Sequence, residues 1–547
     1  MKSYLLYRDR ELTYLDKYYD SNSIIRDLEL NAIFNAAAKG TYEGKRRADQ
    51  RRVEDPYLSE TMRRVMMIPL RNQEEIQYRQ SILNDFLTRE GFGCELYEML
   101  CDMMEKWDKF GRKTNENRAG ASPKVLLSNE VEIMKLFVDN LTLLKEMLEV
   151  YKDRLFSEGL TNLRNRLDEE FPEERLLQLT KLVNDLLFYP DNQDNLEHTK
   201  DASYQMNRAR LVVECGFGDG LKLSDISLEN ITTEITAYRN PYGLASTITN
   251  AVGNIIPGSF STFTDAALSE QMEDMLFQAV SYVVDYCTPF RNDMKQFFTS
   301  LYSEVAFYRG CINVKANLKR VGIDICFPVV TANGSFIFKE LKEAVMAMKQ
   351  NTQVVGNSVT INDKRMLVVT GANQGGKSTF LRSIGIAQIM MQCGMFVGAN
   401  VYQSGIYREF FTHFTRREDS SMNSGRLDEE LRRMSQIVDH LGDNSLVLLN
   451  ESFSTTTELE GSQIAYDILK AFYQKNITVL TVTHLLSFAQ KVYEEKQEDP
   501  DMKVDFLSAE RLPDGKRTFH MIAHEPELTS FGLDLFNEIV GSADTNQ

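Results

Sequence analysis

Along the first third of the chain, apolar residues recur at the three- and four-residue spacing of a helix that buries one face. Leu30, Ile33 and Phe34 form one such set, and Ile82, Leu83 and Phe86 form another. The pattern predicts a helical region over 1–125, broken across Asn115–Pro123, where Asn, Gly, Ser and Pro cluster. Residues 126–188 predict one or two long helices striped by Leu141, Leu144, Leu148, Tyr151 and Leu155, and Tyr189-Pro190-Asp191-Asn192 ends them. The period then changes. Arg210-Leu211-Val212-Val213-Glu214, bounded by Gly216, Gly218 and Gly220, predicts a small strand pair within 208–236. Residues 240–264, with Pro241, Gly243, Pro257 and Gly258, predict a loop-rich connector. A second long helical run is expected over 265–320, striped by Met294, Phe297, Leu301, Val305 and Tyr308 and kinked at Pro289.

From about 325 the pattern becomes α/β. Three apolar runs, at 365–370, 445–450 and 478–483, predict buried strands with helical stretches between them, as the crossovers of a parallel sheet require. The sequence therefore divides into a helical core over 1–125, long lever helices over 126–207, a small insert and connector over 208–263, returning lever helices over 264–325 and an α/β domain over 326–547.

Composition narrows the class. A chain of 547 residues exceeds one ordinary core and predicts several domains. A hydrophobic share of 43% and a charged share of 26% are those of a soluble globular protein. No apolar run approaches the roughly 20 residues a membrane span needs, and the start turns charged at Arg8, so an intracellular, cytoplasmic protein with no membrane partner is expected. The seven cysteines make no CxxC pair, which predicts reduced thiols rather than a zinc site or a disulfide framework. A net charge of −17 counts against a protein that coats nucleic acid with its whole surface. A local basic face remains open at Lys45, Arg46, Arg47, Arg51, Arg52, Arg63, Arg64, Arg71 and Arg79. The alternative is a solvated helical face balanced by acids such as Glu54 and Asp55.

The chemistry lies in the last segment. Gly371-Ala372-Asn373-Gln374-Gly375-Gly376-Lys377-Ser378 matches the phosphate-loop pattern G-x-x-x-x-G-K-[ST], after a strand and before a helix beginning near Thr379. Glycines allow backbone N–H groups to turn around phosphate oxygens, and the helix N-terminus adds positive potential. Lys377 would reach the β- and γ-phosphates of ATP, and the Ser378 hydroxyl would ligate Mg²⁺. The run Leu446–Leu449 ends in Asn450 and Glu451, the Walker B arrangement, with Glu451 placed to orient or deprotonate the attacking water. Asn450 stands at the metal-side position with a neutral amide. A lone histidine is usually structural, but His484 in Val482-Thr483-His484, one strand further on, fits a γ-phosphate sensor. Ser424-Gly425, opening a helix with Asp428, Glu429 and Glu430, reads either as an ordinary cap or as a group that binds a partner subunit's nucleotide.

These elements, in this order, resemble the ABC-type ATPase domain of the MutS mismatch-repair family. The loop continuing through Ser378-Thr379-Phe380-Leu381-Arg382 is similar to the family's G-x-N-x-G-G-K-S-T-x-x-R. The stretch Asn450–Gly461 has the length of its D-E-x-G-R-G-T-S-T-x-D-G, with Glu451, Thr456 and Gly461 identical. Thr483-His484 matches its T-H, and Ser530-Phe531-Gly532 resembles its S-[FY]-G. Upstream, Arg63-Arg64, Ile68-Pro69-Leu70, Ile76 and Arg79-Gln80 resemble a run of its core domain, so the similarity spans about 60–547 and is strongest over 365–485.

The resemblance implies an ABC-type P-loop ATPase domain behind a helical core and lever, with a reduced clamp-like insert. It further implies a homodimer sandwiching two ATP molecules with Mg²⁺, Ser424 acting in trans. The lever helices would carry closure to a DNA-clasping end. Asn450 replaces the family's Asp, Asn400 stands where Gln is common, and the Gly-Arg-Gly after Walker B is absent. Nothing in the chain resembles the N-terminal mismatch-reading domain or its Phe-x-Glu wedge. Recognition of duplex or branched DNA by shape and backbone is therefore expected. Two alternatives stand beside this one. One is an ATP-binding scaffold with weak hydrolysis. The other is the same motor acting on RNA, a ribosome or a protein.

Overall fold

A computed structural model describes residues 2–10, 17–40, 54–117, 123–186, 204–217, 223–238, 266–332, 334–415, 425–512 and 515–526. The chain forms two compact units. The first comprises Met1–Ser3, Cys94–Leu155 and Thr161–Tyr302; the second comprises Tyr4–Gly93, Phe156–Leu160 and Ser303–Gln547.

The first unit is helical, with one strand pair. It draws on the helices Glu90–Asn117, Pro123–Val150, Glu158–Glu170, Glu173–Leu186 and Ala266–Arg320. The predicted stripe Leu141, Leu144 and Leu148 is buried, but the helix stops at Val150 and a 3₁₀ turn, Lys152–Arg154, follows. Phe137 stacks on Phe298 and meets Trp107. Arg291 pairs with the buried Glu130 at 2.6 Å. Strands β1 (Tyr204–Phe217) and β2 (Leu223–Tyr238) form an antiparallel ribbon with two register shifts, far longer than the small pair the glycines suggest. Gly216 lies inside β1, paired with Ser224 just past a register shift. The helix Ala266–Arg320 runs on through Pro289.

The second unit begins with short helices whose starts are set by side-chain caps. Asp20 accepts from the Ser23 N–H before Ser21–Asp27, Asp55 caps Pro56–Met66 with proline in its first turn, and Asn72 caps Gln73–Thr88. Arg79, on the last of these, is fully buried. It donates to Leu6 O from Nε and Nη2 (3.1 and 2.9 Å) and to Cys393 O from Nη1 (3.0 Å), and it lies against the Tyr7 ring.

That position corrects the expected basic face. Arg63 is exposed, Arg64 bonds Ser303, and Arg71 pairs with Glu409 at 3.6 Å. Arg79 instead faces the interior, because its donors match backbone carbonyls far away in sequence. Lys45, Arg46, Arg47, Arg51 and Arg52 lie outside the described residues.

The α/β part holds two sheets. The smaller contains β3 (Val329–Val330), β4 (Phe336–Leu341), β5 (Asn357–Ile361) and β7 (Val401–Ser404) in the order β3-β7-β4-β5. The larger contains β6 (Met366–Gly371), β8 (Glu409–Phe414), β9 (Ser445–Asn450), β10 (Thr478–Val482), β11 (Val504–Arg511) and β12 (Arg517–Ala523), in the order β12-β11-β6-β10-β9-β8. All its neighbours are parallel except the β11–β12 edge pair. Strands β6, β9 and β10 are continuous apolar runs because helices cover them: Val368, Val447, Leu449 and Val479 join Ala465, Leu469, Phe472 and Phe488 in one core. Strand β6 lies between β10 and β11: the chain leaves it for the β8 edge, returns through β9 and β10, and then crosses β6 to reach β11, so the connections from β6 and β10 run in opposite directions. Crevices at such reversals, beyond the carboxyl ends of parallel strands, are where open α/β sheets bind ligands.

Among the described residues no helix is long and apolar enough to cross a membrane. Cys94, Cys101, Cys287, Cys311, Cys326 and Cys393 are free thiols.

Candidate functional site

The loop Gly371–Ser378 leaves the carboxyl end of β6 and enters the helix Lys377–Gln392. Its path needs glycine. Gly371 has φ +103°, and a Cβ there would stand 2.7 Å from Ser508 Oγ and 2.8 Å from Ala509 N on β11. At Gly375 a Cβ would stand 2.7 Å from the Ala509 methyl carbon and 2.9 Å from Ala372 O. The loop therefore lies flat against β11, which turns the amides that open the helix outward. Lys377 is buried, and its ammonium donates to Gly371 O (2.7 Å) and Ala372 O (2.9 Å).

A cavity of about 450 Å³ opens beside this loop. Asn373, Gln374, Gly375, Gly376, Lys377, Ser378, Thr379 and Glu451 line one part of it. Glu451 follows β9 with φ +54°, a left-handed backbone rare for a glutamate, and its N–H donates to Val482 O at 2.8 Å. Asn450 pairs across to Val482, and the Thr483 N–H reaches Val369 O at 3.1 Å. The ends of β6, β10 and β9 thus lie side by side. Asn450 and the half-buried His484 end their strands at this edge but do not line the cavity. Ser424 and Ser530-Phe531-Gly532 lie outside the described residues; Gly425 caps the helix Arg426–His440.

The donor set has the chemistry of a hydrated hard cation. Ser378 offers a hydroxyl and Glu451 a carboxylate, and Asn450 Oδ1 is buried without a hydrogen-bond partner. An orphaned amide oxygen on the residue before Glu451 fits Mg²⁺ held through water. No group of three or more His, Cys, Asp or Glu among the described residues is placed to hold a metal by itself.

Two functional side chains are not legible in the sequence. Glu430 directly follows the first-turn acids Asp428 and Glu429 of its helix, yet it turns inward. Its carboxylate accepts from Phe453 N–H (3.1 Å) and the Thr455 hydroxyl (3.0 Å), and burial pushes its carboxyl above the usual range. His413 on β8 contacts Ser452 Oγ through Nδ1 (2.7 Å) and Glu430 O through Nε2 (3.2 Å). The helix after Gly425 is thereby tied to the segment that follows Glu451. Only the amphipathic phase of that helix, with Met434 and Ile437 buried beside Glu430, could signal it. Glu430→Ala leaves two donors unpaired; a loss of about 2 kcal/mol and a lower melting temperature in calorimetry are expected.

The second is Glu343. It lines the same cavity, is only 2% exposed, and is pushed up to about 7 by burial against the opposing pull of the Met346 N–H and Arg382.

A helical region ahead of a mixed α/β domain, with a glycine-built loop at the sheet's strand reversal, defines a protein of the domain V architecture of mismatch-repair ATPases. Comparison with known families agrees. The model for MutS domain V matches residues 367–541, and that for the MutS2 N-terminal domain matches 71–191. The DNA mismatch repair protein MutS of Petrotoga mobilis is 32% identical over 181 residues, 32% of this chain and 21% of that protein. Endonuclease MutS2 of Latilactobacillus sakei is 30% identical over 175 residues, 32% of this chain and 22% of that one. The DNA mismatch repair protein MutS of Clostridium beijerinckii is 23% identical over 438 residues, covering 75% of this chain and 45% of the relative. The matches thus span from about a fifth to under half the length of these relatives. The chain belongs to the MutS family.

Proposed function

We propose that the chain binds ATP with Mg²⁺ at the loop Gly371–Ser378, hydrolyses it, and uses that cycle to switch a homodimer acting on DNA. The observation that carries the reading is the cavity shared by Lys377, Ser378 and Glu451 at the strand reversal. Phosphate oxygens would replace the carbonyls that Lys377 now holds, gaining a charge-assisted bond. Ser378, Asn450 and Glu451 would hold Mg²⁺ through its water shell, and the bound ion would neutralise charge on the phosphates. Glu451 orients water for attack, and His484, on the neighbouring strand end, senses the γ-phosphate. Ser424 of a second copy caps that phosphate, so that nucleotide favours the closed dimer and hydrolysis releases it.

Titration calorimetry with a non-hydrolysable Mg–ATP analogue tests this. Lys377→Ala is expected to weaken binding roughly 100-fold, the loss of about 2–3 kcal/mol for a bond to a charged group. Unchanged heat and affinity in that variant would remove the site.

DNA as the target is supported by the names of the relatives, a mismatch repair protein and an endonuclease. Filter binding to branched DNA, plain duplex and RNA at matched salt tests it; equal and negligible retention of all three sinks the assignment. Asn450 favours a second reading, an ATP-binding scaffold that turns over slowly, because a neutral amide holds the metal's water shell less firmly than a carboxylate would. Steady-state turnover separates the two.

A further inference from the structure

The cavity beside the phosphate loop is lined by residues well beyond the loop itself, from Leu341 to Asn357 and at Phe519. Besides Lys377, Ser378 and Glu451 its wall includes Leu341, Met346, Val354 and Val355, with Phe519 packed beside Gly376, an apolar surface suited to the flat face of a base. Among the described residues, three charged side chains line the cavity: Lys377 and Glu451 at the phosphate end, and Glu343 in the apolar part.

Glu343 is bound on one side only. Its Oε2 accepts from the Met346 N–H and so caps the helix Ala344–Gln350, while Oε1 is buried with no hydrogen-bond partner. A buried carboxyl oxygen without a donor is costly, and such an atom on the wall of a ligand cavity signals a donor that arrives with the ligand. Asn357, the buried amide on the same wall, has no such vacancy. Its Nδ2 donates to Phe519 O at 3.2 Å and its Oδ1 accepts from Met521 N–H at 2.7 Å. Gln353 is exposed, and a solvated amide adapts to any base.

We propose that Glu343 selects the base of the bound nucleotide, its free Oε1 accepting a hydrogen bond from the 6-amino group of adenine. This rests on the nucleotide reading of the cavity and names what that site would take. A 6-oxo purine presents an acceptor to an acceptor and is rejected. Charged groups facing the carboxyl are Arg382 on the helix Lys377–Gln392, Lys349 on the helix Ala344–Gln350, and Glu29. Arg382 and Lys349 both pair with Glu29, at 3.4 Å in the case of Arg382, so neither cation is wholly given to Glu343.

The test compares the affinities of ATP, ITP and purine riboside triphosphate for the full chain by calorimetry, in wild type, Glu343→Gln and Lys377→Ala. Wild type is expected to bind ATP about 10-fold more tightly than either analogue. In Glu343→Gln the side-chain carbonyl keeps the helix cap and an NH₂ donor replaces the free acceptor, so the ATP-over-ITP ratio falls to one or below. The wild-type ratio also rises between pH 6 and pH 8, as the carboxyl ionises; the triphosphate is common to both ligands and its titration cancels.

Equal wild-type affinity for ATP and purine riboside triphosphate, or an unchanged ratio in a folded Glu343→Gln, overturns the proposal. The first of these comparisons uses wild type alone and so needs no variant to fold. If Lys377→Ala binds all three as wild type does, it is the nucleotide reading itself that fails.

Discussion

Glu451→Gln is expected to lower ATP turnover by roughly 100- to 10,000-fold, the range of a lost general base or water-orienting group, with Mg–nucleotide affinity retained. Glu451 is the carboxylate at the end of the cavity that Lys377 and Ser378 line. Its left-handed backbone and its N–H bond to Val482 O fix where the carboxylate leaves β9. Glutamine keeps that backbone and the side-chain length but cannot take a proton. The variant therefore isolates chemistry from binding, and a steady-state phosphate-release assay beside calorimetry reads both. Turnover equal to wild type would strip Glu451 of its assigned role. A wild-type rate already near the background rate would instead favour the scaffold reading that Asn450 suggests.

Arg79→Leu is expected to cost about 3–5 kcal/mol of stability, a loss at the top of the range for single substitutions. The guanidinium is fully buried and supplies three bonds to two carbonyls, Leu6 O and Cys393 O. Removing it orphans both carbonyls and opens a void against Tyr7 and Phe307. Gly394 adds to the tightness, since a Cβ there would already meet Arg79 Cβ at 2.8 Å. Urea unfolding checks the value, with the exposed Arg63→Ala as a control expected within about 0.5 kcal/mol of wild type. A mild loss in Arg79→Leu would mean that the buried cation is replaceable by packing alone.

These two residues mark how far the chain can be read without its fold. Glu451 is legible because it ends an apolar run, a local signal within six residues of strand, Ser445–Asn450. Arg79 reads as a surface residue because charge is normally solvated, even though Ile76, Ile82, Leu83 and Phe86, three, three, four and seven positions away, put it on the buried face of its helix. Its partners are 73 and 314 residues away. Glu430 and Glu343 fall between these cases. Each stands near a recognisable helix start, where an acid reads as a dipole or cap residue. Glu343 does cap its helix; what the sequence does not show is that the same carboxyl borders a cavity.

The strand ribbon sets a different limit. The glycines at 216, 218 and 220 suggest a short pair, yet β1 continues to Phe217, because a single glycine such as Gly216, paired with Ser224, can stay in a ladder. Pro289 lies inside a helix that runs on from Ala266 to Arg320. A proline removes one hydrogen bond, and in a helix of 55 residues that loss does not end the element.

Period and backbone freedom within short stretches were enough to encode the strands around 366–371, 445–450 and 478–482, the helix opening at Lys377, and the glycine loop between strand and helix. Their signals are local because each arises from steric limits on a few consecutive residues. Which groups the inward acids and the buried arginine bond to came from the folded chain alone. So did the placing of β6 between β10 and β11, by which loop, Glu451 and Glu343 border one cavity. Those outcomes depend on hydrogen bonds and packing between segments far apart in the chain, and no local pattern of polarity contains the identity of a distant partner.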